Sequence, residues 1–405
     1  MVKSERRTNA DVLAAAAIAV VVMVTAALIW WTSDARATIS RPAVGPAPSP
    51  RLAHELPDSL KQLWTAPNAP TDQPVVVAGT VVTADGRAVQ GRDPVTGRVR
   101  WIYSRGSDLC GVAGVYRFAV AVYRDDRGCG QVSAIDGSTG RRGPARSSYA
   151  DKRVSLSSDG TTVLSAGDTR LELWRSDMVR MLSYGEIDAR VKPSSKGLHT
   201  GCRLVSAAAS SAAVSVLGAC GSQADLRLTL LRPSKEEDEP ELRDVPEPGI
   251  GVGSGARVLA VAETKTLIYL PSPQPRVDVV DESGVKVAST LLPRPPSTSS
   301  VVSRPGNLVT WWTGDAVMVF DGATLTYRYS IAPAGPSVPV GPATIMAGKL
   351  LVPVTDGIAV CDPVTGDGAG FLPVARPPGS SPVIPTVAGS QILEQRGNTL
   401  VAALG

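Results

Sequence analysis

Short apolar runs divided by turn-forming residues recur along the chain and fall into groups of four. The clearest group is Pro74–Arg105, PVVVAGTVVTADGRAVQGRDPVTGRVRWIYSR. Runs at Val75–Val77 and Thr80–Thr83 predict a first and a second strand. A shorter third leads into Asp93-Pro-Val-Thr-Gly97, and a fourth, Arg98–Tyr103, carries Trp101. The turn has a physical reason. The Asp93 carboxylate can accept its free N–H groups, and Gly97 can take the positive φ that reverses the chain.

Aligned on the residue that closes the third strand, the groups run Asp93, Asp136, Arg175, Arg232, Asp281, Asp321, Asp362 and Gly405, at intervals of 43, 39, 57, 49, 40, 41 and 43 residues. A strand-built period of about 40–45 residues signals a propeller or a β array. Thr96-Gly97, Thr139-Gly140 and Thr365-Gly366 close the turn alike, with Ser283-Gly284 a variant. The two long intervals flank Ser234–Gly249, SKEEDEPELRDVPEPG, which is expected to loop out between strands as an acidic insertion at 234–249. It lacks the alternating ligands and central glycine of a calcium loop.

The last group stops at its third strand, Leu400–Leu404, while Lys61-Gln-Leu-Trp64-Thr, ahead of the first group, reads as a fourth strand like Arg98-Val-Arg-Trp101-Ile. The segment around Trp64 is therefore expected to complete the last sheet, and such closure removes an exposed edge. The expected fold is all-β: an eight-bladed β-propeller of four-stranded blades over residues 60–405, or seven-bladed if Asp151–Val191 is not a true blade.

Val12–Trp31 holds 20 residues without a charge. As a helix rising about 1.5 Å per residue it would span roughly 30 Å, the hydrocarbon thickness of a bilayer. Lys3, Arg6 and Arg7 precede it and Trp30 and Trp31 end it, so residues 1–11 are expected as a cytoplasmic stub and 12–31 as a transmembrane helix. The other reading is a cleaved signal peptide with Ala35-Arg-Ala37 as the cleavage site, although secretory apolar runs are usually shorter. Both readings put the remainder outside the cytoplasm. Residues 32–59, with Pro42, Pro46, Pro48, Pro50 and Pro57, are expected as a semi-extended tether that holds the folded part off the membrane. Aromatic content of 4% beside 39 Gly and 33 Pro favours turns over long helices. A net charge of +4, unclustered, is too weak to argue for nucleic acid.

Among five cysteines, Cys110 and Cys129 are 19 residues apart and Cys202 and Cys220 are 18 apart. Each pair encloses two apolar runs. In an antiparallel hairpin the start of the first strand faces the end of the second, so two disulfides are expected rather than metal ligands. Cys361 takes a place held elsewhere by Ile135, Val280 and Phe320 and reads as a buried small hydrophobe. His54 and His199 lack the paired spacing of metal ligands and read as surface histidines. Gly249-Ile-Gly-Val-Gly-Ser-Gly255 lacks the Lys of a phosphate loop and reads as an inter-blade turn. Trp174, Trp311 and Trp312 fall in strands, as packing residues.

The Asp-x-x-Thr-Gly-(x)3-Trp pattern of Asp93, Thr96, Gly97 and Trp101, repeated without the Trp at Asp136–Gly140 and Asp362–Gly366, resembles the repeats of pyrroloquinoline quinone (PQQ)-like propellers. The resemblance covers about residues 60–405 as a pattern and three units in detail. Asp281 and Asp321 fill the Asp position in two further units. That superfamily includes quinoprotein dehydrogenases and catalytically silent envelope proteins. The Ala- and Arg-rich, Lys-poor composition beside a single anchor looks like membrane-tethered propellers of actinobacteria. A quinoprotein dehydrogenase would show adjacent cysteines, a calcium site using Glu and Asn, and a catalytic Asp. This chain has no adjacent cysteines and only four asparagines, Asn9, Asn68, Asn307 and Asn398. The expectation is a non-catalytic, extracytoplasmic interaction or scaffold module, anchored in the membrane, without cofactor or metal, that binds an envelope protein. The alternative is a degenerate quinoprotein-like enzyme or ligand-binding propeller that uses the central channel, with carboxylates and Arg or Asn converging at one mouth.

Overall fold

The computed structural model describes residues 8–69, 71–186, 198–221, 225–237, 239–377, 379 and 382–404. Lys3, Arg6, Arg7 and Gly405 lie outside them. Eight antiparallel sheets make the ring, each a four-stranded blade whose strands run in chain order outward from the axis, except that the outer strand of the last blade comes from the start of the chain. Blade 1 is Val75–Val77, Thr80–Asp85, Ala88–Arg92 and Val99–Ser104, and blade 2 is Leu109–Val115, Phe118–Asp125, Gly128–Asp136 and Arg142–Ser147. Blade 3, from the irregular stretch after Asp151, is Ser155–Ser158, Thr162–Ala166, Arg170–Arg175 and Arg180–Gly185, so the seven-bladed alternative falls. Blade 4 is Cys202–Ala209, Val214–Cys220, Asp225–Arg232 and Glu241–Gly251; blade 5 is Arg257–Ala262, Lys265–Leu270, Arg276–Val280 and Lys286–Leu291. Blade 6 is Val301–Ser303, Leu308–Trp312, Val317–Asp321 and Tyr327–Ile331; blade 7 is Thr344–Met346, Lys349–Val354, Gly357–Cys361 and Gly368–Pro373. Blade 8 takes Val383–Ala388, Gln391–Arg396 and Thr399–Leu404 from the end of the chain and Lys61–Pro67 from its beginning.

That last pairing closes the ring. Lys61 faces Leu404, Thr65 faces Val401 and Ala66 faces Leu400, with an irregularity between Gln62 and Trp64. The core lies between the faces of neighbouring blades. Trp311 of blade 6, for example, packs with Leu267 and Tyr269 of blade 5.

The repeat acquires its meaning at these blade-to-blade contacts. Asp93 Oδ1 accepts from Val95 N, Thr96 N and Thr96 Oγ1, and Gly97 takes a φ of 69°. Asp136, Asp281, Asp321 and Asp362 hold their turns with the same kind of bonds. Glycine is needed at the turn's end for space as well as φ. A Cβ on Gly140 would lie 2.3 Å from Trp101 of the preceding blade, whose Nε1 donates to Gly137 O at 2.6 Å. Trp64 lies the same way over Gly97 and donates to Pro94 O, and Tyr329 lies over Gly366 and donates to Pro363 O. Blade 6 inverts the arrangement. Its turn carries Leu325, fully buried at a φ of 59°, beside Ala288 of blade 5.

Three expectations about the fold need correction. The acidic segment 234–249 is not one looped insertion, because Glu241–Gly251 is the outer strand of blade 4, paired from Arg232↔Glu241 to Leu226↔Glu247. Its charges and prolines suit a strand whose far edge meets water, where a missing N–H costs nothing. The tether does not stand free either. Ile39–Arg41 adds to blade 1 as a fifth strand, with Ile39 facing Ser104. Ala43 N and Ala47 N then donate to Thr139 O and Ser138 O of blade 2, and Arg100 donates to the Gly45 and Pro46 carbonyls. Ala53, Leu56 and Leu60 pack with the cluster of Met346, Leu351 and Leu372. A proline-rich extended chain has carbonyls to offer and little conformational entropy to lose, so it docks readily on such a surface. Finally, Cys110 and Cys129 do not close one hairpin. Cys110 is on the first strand of blade 2 and Cys129 on the third, and the second passes between them. Irregular register at Leu109/Gly111 and at Tyr123/Asp125 lets the sulfurs meet across it.

The one helix long and apolar enough to cross a membrane, among the described residues, is Asn9–Thr32. A capping box between Thr8 and Asp11 starts it, and Ser33 ends it. None of its residues is buried against the ring.

Candidate functional site

The first strands of blades 1 to 6 and 8 line a channel of about 610 Å³, a size that suits a small ligand. Its wall is built from small or apolar positions such as Val77, Ala113, Gly114, Ala208 and Leu259. Ionisable side chains are few: among the described lining residues they are Asp72, Tyr116, Asp159 and Arg304. Arg304, on blade 6, donates to Val261 O at 2.7 Å. The protein around it pulls its guanidinium below the usual range, and the Asp159 carboxylate of blade 3 opposes that shift. At the other mouth, burial holds the Asp72 carboxyl above its usual value against a hydrogen bond with Ser155. Gln73 Nε2 donates to Val302 O at 3.0 Å and so links the entry of blade 1 to the inner strand of blade 6. The two carboxyls belong to opposite mouths, so the cluster of carboxylates that would mark a converging acid–base site is not formed by these residues.

Outside the channel, buried charge is concentrated between blades. Glu172 of blade 3 is 4% exposed at its side chain and is met by Arg170 at 2.5 Å, Arg180 at 3.2 Å and Arg146 of blade 2 at 3.3 Å. Trp174 Nε1 also donates to it, at 2.8 Å. Burial pushes this carboxyl up, and Arg170 and Arg146 more than reverse that, leaving it below the usual range. Glu237, from the loop before the outer strand of blade 4, pairs with Arg180 through its carboxylate, and its backbone carbonyl accepts from Ser183 N at 2.8 Å. Glu394 of blade 8 is held in the same way by Arg376 and Arg396, and Arg376 also donates to Gly357 O of blade 7 at 2.8 Å.

The sequence-derived positions are all located. Asp93, Gly97, Trp101, Asp136, Gly140, Asp281, Asp321, Asp362 and Gly366 lie at turns or blade contacts, away from the channel lining. Trp64 and Leu400 belong to the closing pair of strands, as does the backbone of Leu404. Cys110–Cys129 and Cys202–Cys220 are disulfides, and Cys361 is a buried free thiol pushed up by its burial. Trp174, Trp311 and Trp312 are buried packing residues. His54 is exposed. His199 departs from the surface reading: it is half-buried, its ring 5.5 Å from that of Tyr184 and its Nε2 3.3 Å from Asp244. The sequence signal available for it was His199-x-x-Cys202, three residues from a cysteine.

No family model matches the sequence, and no curated protein does. Several solved structures share the ring. The computationally designed Ika8 protein aligns over 84% of this chain and 98% of its own, at 13% identity and a TM-score of 0.54. The C-terminal WD40 domain of Sif2 aligns over 87% and 99%, at 12% and 0.51. BamB from Moraxella catarrhalis aligns over 85% and 100%, at 16% and 0.48. At such identities the likeness is one of fold.

Proposed function

We propose that this chain is a non-catalytic protein-interaction module of the cell envelope, of the PQQ-like propeller type, anchored by Asn9–Thr32 with its N-terminus in the cytoplasm and the ring outside. The apolar helix and the two disulfides, which persist in oxidising compartments, support the placement. The observation that carries the function is at the rim. Blade 1 carries Ile39–Arg41 as an added strand, and this supports strand addition at a blade's outer edge as the mode of binding. Among the described residues the outer strands of the other seven blades have no fifth partner, and Val287 and Leu291 on blade 5 and Phe371 on blade 7 stand exposed there. The partner is an envelope protein bound by this rigid scaffold. Cross-linking in native membranes should recover a stoichiometric partner. Recovering none across growth conditions would remove the reading.

The channel favours a second reading, a small-ligand or degenerate quinoprotein site at Arg304. Addition of PQQ with calcium should then raise the melting temperature, by an amount that grows with the logarithm of ligand concentration once that exceeds Kd. The interaction reading expects no shift.

A further inference from the structure

We propose that the Cys202–Cys220 bridge is one of two states of the same site, and that its dithiol form holds a zinc-like divalent ion through Cys202, Cys220 and His199. The two sulfurs and a nitrogen of His199 already lie within 4.8 Å of one another. In a tetrahedral zinc site, bonds of about 2.0–2.3 Å put neighbouring ligand atoms roughly 3.3–3.8 Å apart, so small side-chain movements suffice. The backbone frame is hydrogen-bonded: Cys202 faces Cys220 across the first hairpin of blade 4, and Cys202 N donates to His199 O at 3.3 Å. His199 itself stands at a φ of 56°.

The imidazole is oriented as a metal-binding histidine would be. Its Nε2 lies 3.3 Å from Asp244 Oδ2, and Asp244 is fixed by Thr229 Oγ1 at 2.7 Å and Arg227 at 3.1 Å. A carboxylate that accepts a hydrogen bond from Nε2–H leaves Nδ1 as the ring's acceptor nitrogen, and such an outer hydrogen bond raises a ligand's basicity. Nδ1 points at the sulfurs, 3.9 Å from Cys220 Sγ, and meanwhile contacts Tyr184 Oη at 2.9 Å. Among the described residues no histidine or carboxylate joins the other bridge in such a group, and beside Cys129 Sγ lies the Lys152 carbonyl, at 3.1 Å.

The chemistry balances with one external co-reactant, a dithiol. A dithiol reductant gives two electrons and two protons to the bridge, the S–S bond breaks, and the reductant closes to its own disulfide. Metal binding then displaces both thiol protons to solvent, with water in the fourth position. The hairpin is clamped in either state, by a covalent bond when oxidised and by an ion when reduced.

The test uses the full-length chain in detergent, reduced with a dithiol, freed of reductant under anaerobic conditions and titrated with cobalt(II). One equivalent should bind with tetrahedral visible bands and thiolate-to-metal absorption, and the oxidised protein should give neither. X-ray absorption on the zinc-loaded wild type should find two sulfurs and an imidazole. His199→Ala should weaken binding by at least about tenfold, and Asp244→Asn by about 10- to 100-fold. Cys110→Ser with Cys129→Ser should leave it unchanged. A sulfur-only shell, equal uptake by the oxidised chain or by His199→Ala, or loss of the β-sheet spectrum on reduction would each overturn the proposal.

Discussion

Blades 8, 1 and 2 and blades 3 and 4 are built from the same four strands but are joined by different chemistry. In the first group an outer-strand Trp lies on the glycine of the next turn, Trp64 on Gly97 and Trp101 on Gly140. In the second the joint is ionic: Arg146, Arg170 and Arg180 converge on Glu172, and Glu237 of blade 4 reaches back to Arg180. One joint depends on shape and apolar burial, the other on matched charge in a dry place. A propeller therefore needs only that each blade face meet the next without voids or unpaired charge.

Removing the key side chain from each kind of joint should have the largest effects. Trp101→Ala should cost about 3–5 kcal/mol through the cavity it leaves. Glu172→Ala should cost about 3–5 kcal/mol because three guanidinium groups lose their counter-charge. Denaturant unfolding measures both. Next comes Gly140→Ala, which sets a Cβ against Trp101 at a φ of 72° and should cost about 1–3 kcal/mol.

Acid sharpens the difference. The Glu172 carboxyl is held below its usual range, so its contribution is complete above the unfolded value of about 4.3 and is lost as pH falls through the folded one. Melting temperatures should drop below about pH 4.5, and Glu172→Gln should flatten that drop, whereas Trp101→Ala should keep the wild-type slope. The smallest effect is expected at the docked tether. Gly79, at a φ of 81°, would place a Cβ 2.5 Å from Pro48 O. Gly79→Ala should cost about 1 kcal/mol and raise amide exchange at Ala43 and Ala47.

The same contrast explains what could be read in the sequence. The shape-based joints leave a spaced motif, so the Asp turns, the Thr-Gly ends, the closure at Trp64 and the count of eight could be found from spacing. The ionic joints leave none. Arg146, Glu172 and Glu237 come from three blades, and no local pattern announces that they meet. For the same reason 234–249 read as a loop: its prolines and acids signal exposure, and an outer strand is exposed along one edge just as a loop is. The docking of 39–60 was hidden because proline-rich composition looks alike whether the chain is free or laid along a surface. His199 was misjudged because its partners Tyr184 and Asp244 are distant in sequence.

Ring closure underlies both kinds of joint, since an open ring would leave blade 8 without its outer strand and Gly97 without Trp64. Thr65 and Val401 face each other across the closing pair. The double variant Thr65→Cys with Val401→Cys, oxidised and mapped by mass spectrometry, should give an intramolecular bridge between the two introduced thiols in a monomer with an unchanged β-sheet spectrum. A bridge that forms only between molecules, or none while the sheet spectrum persists, would contradict closure.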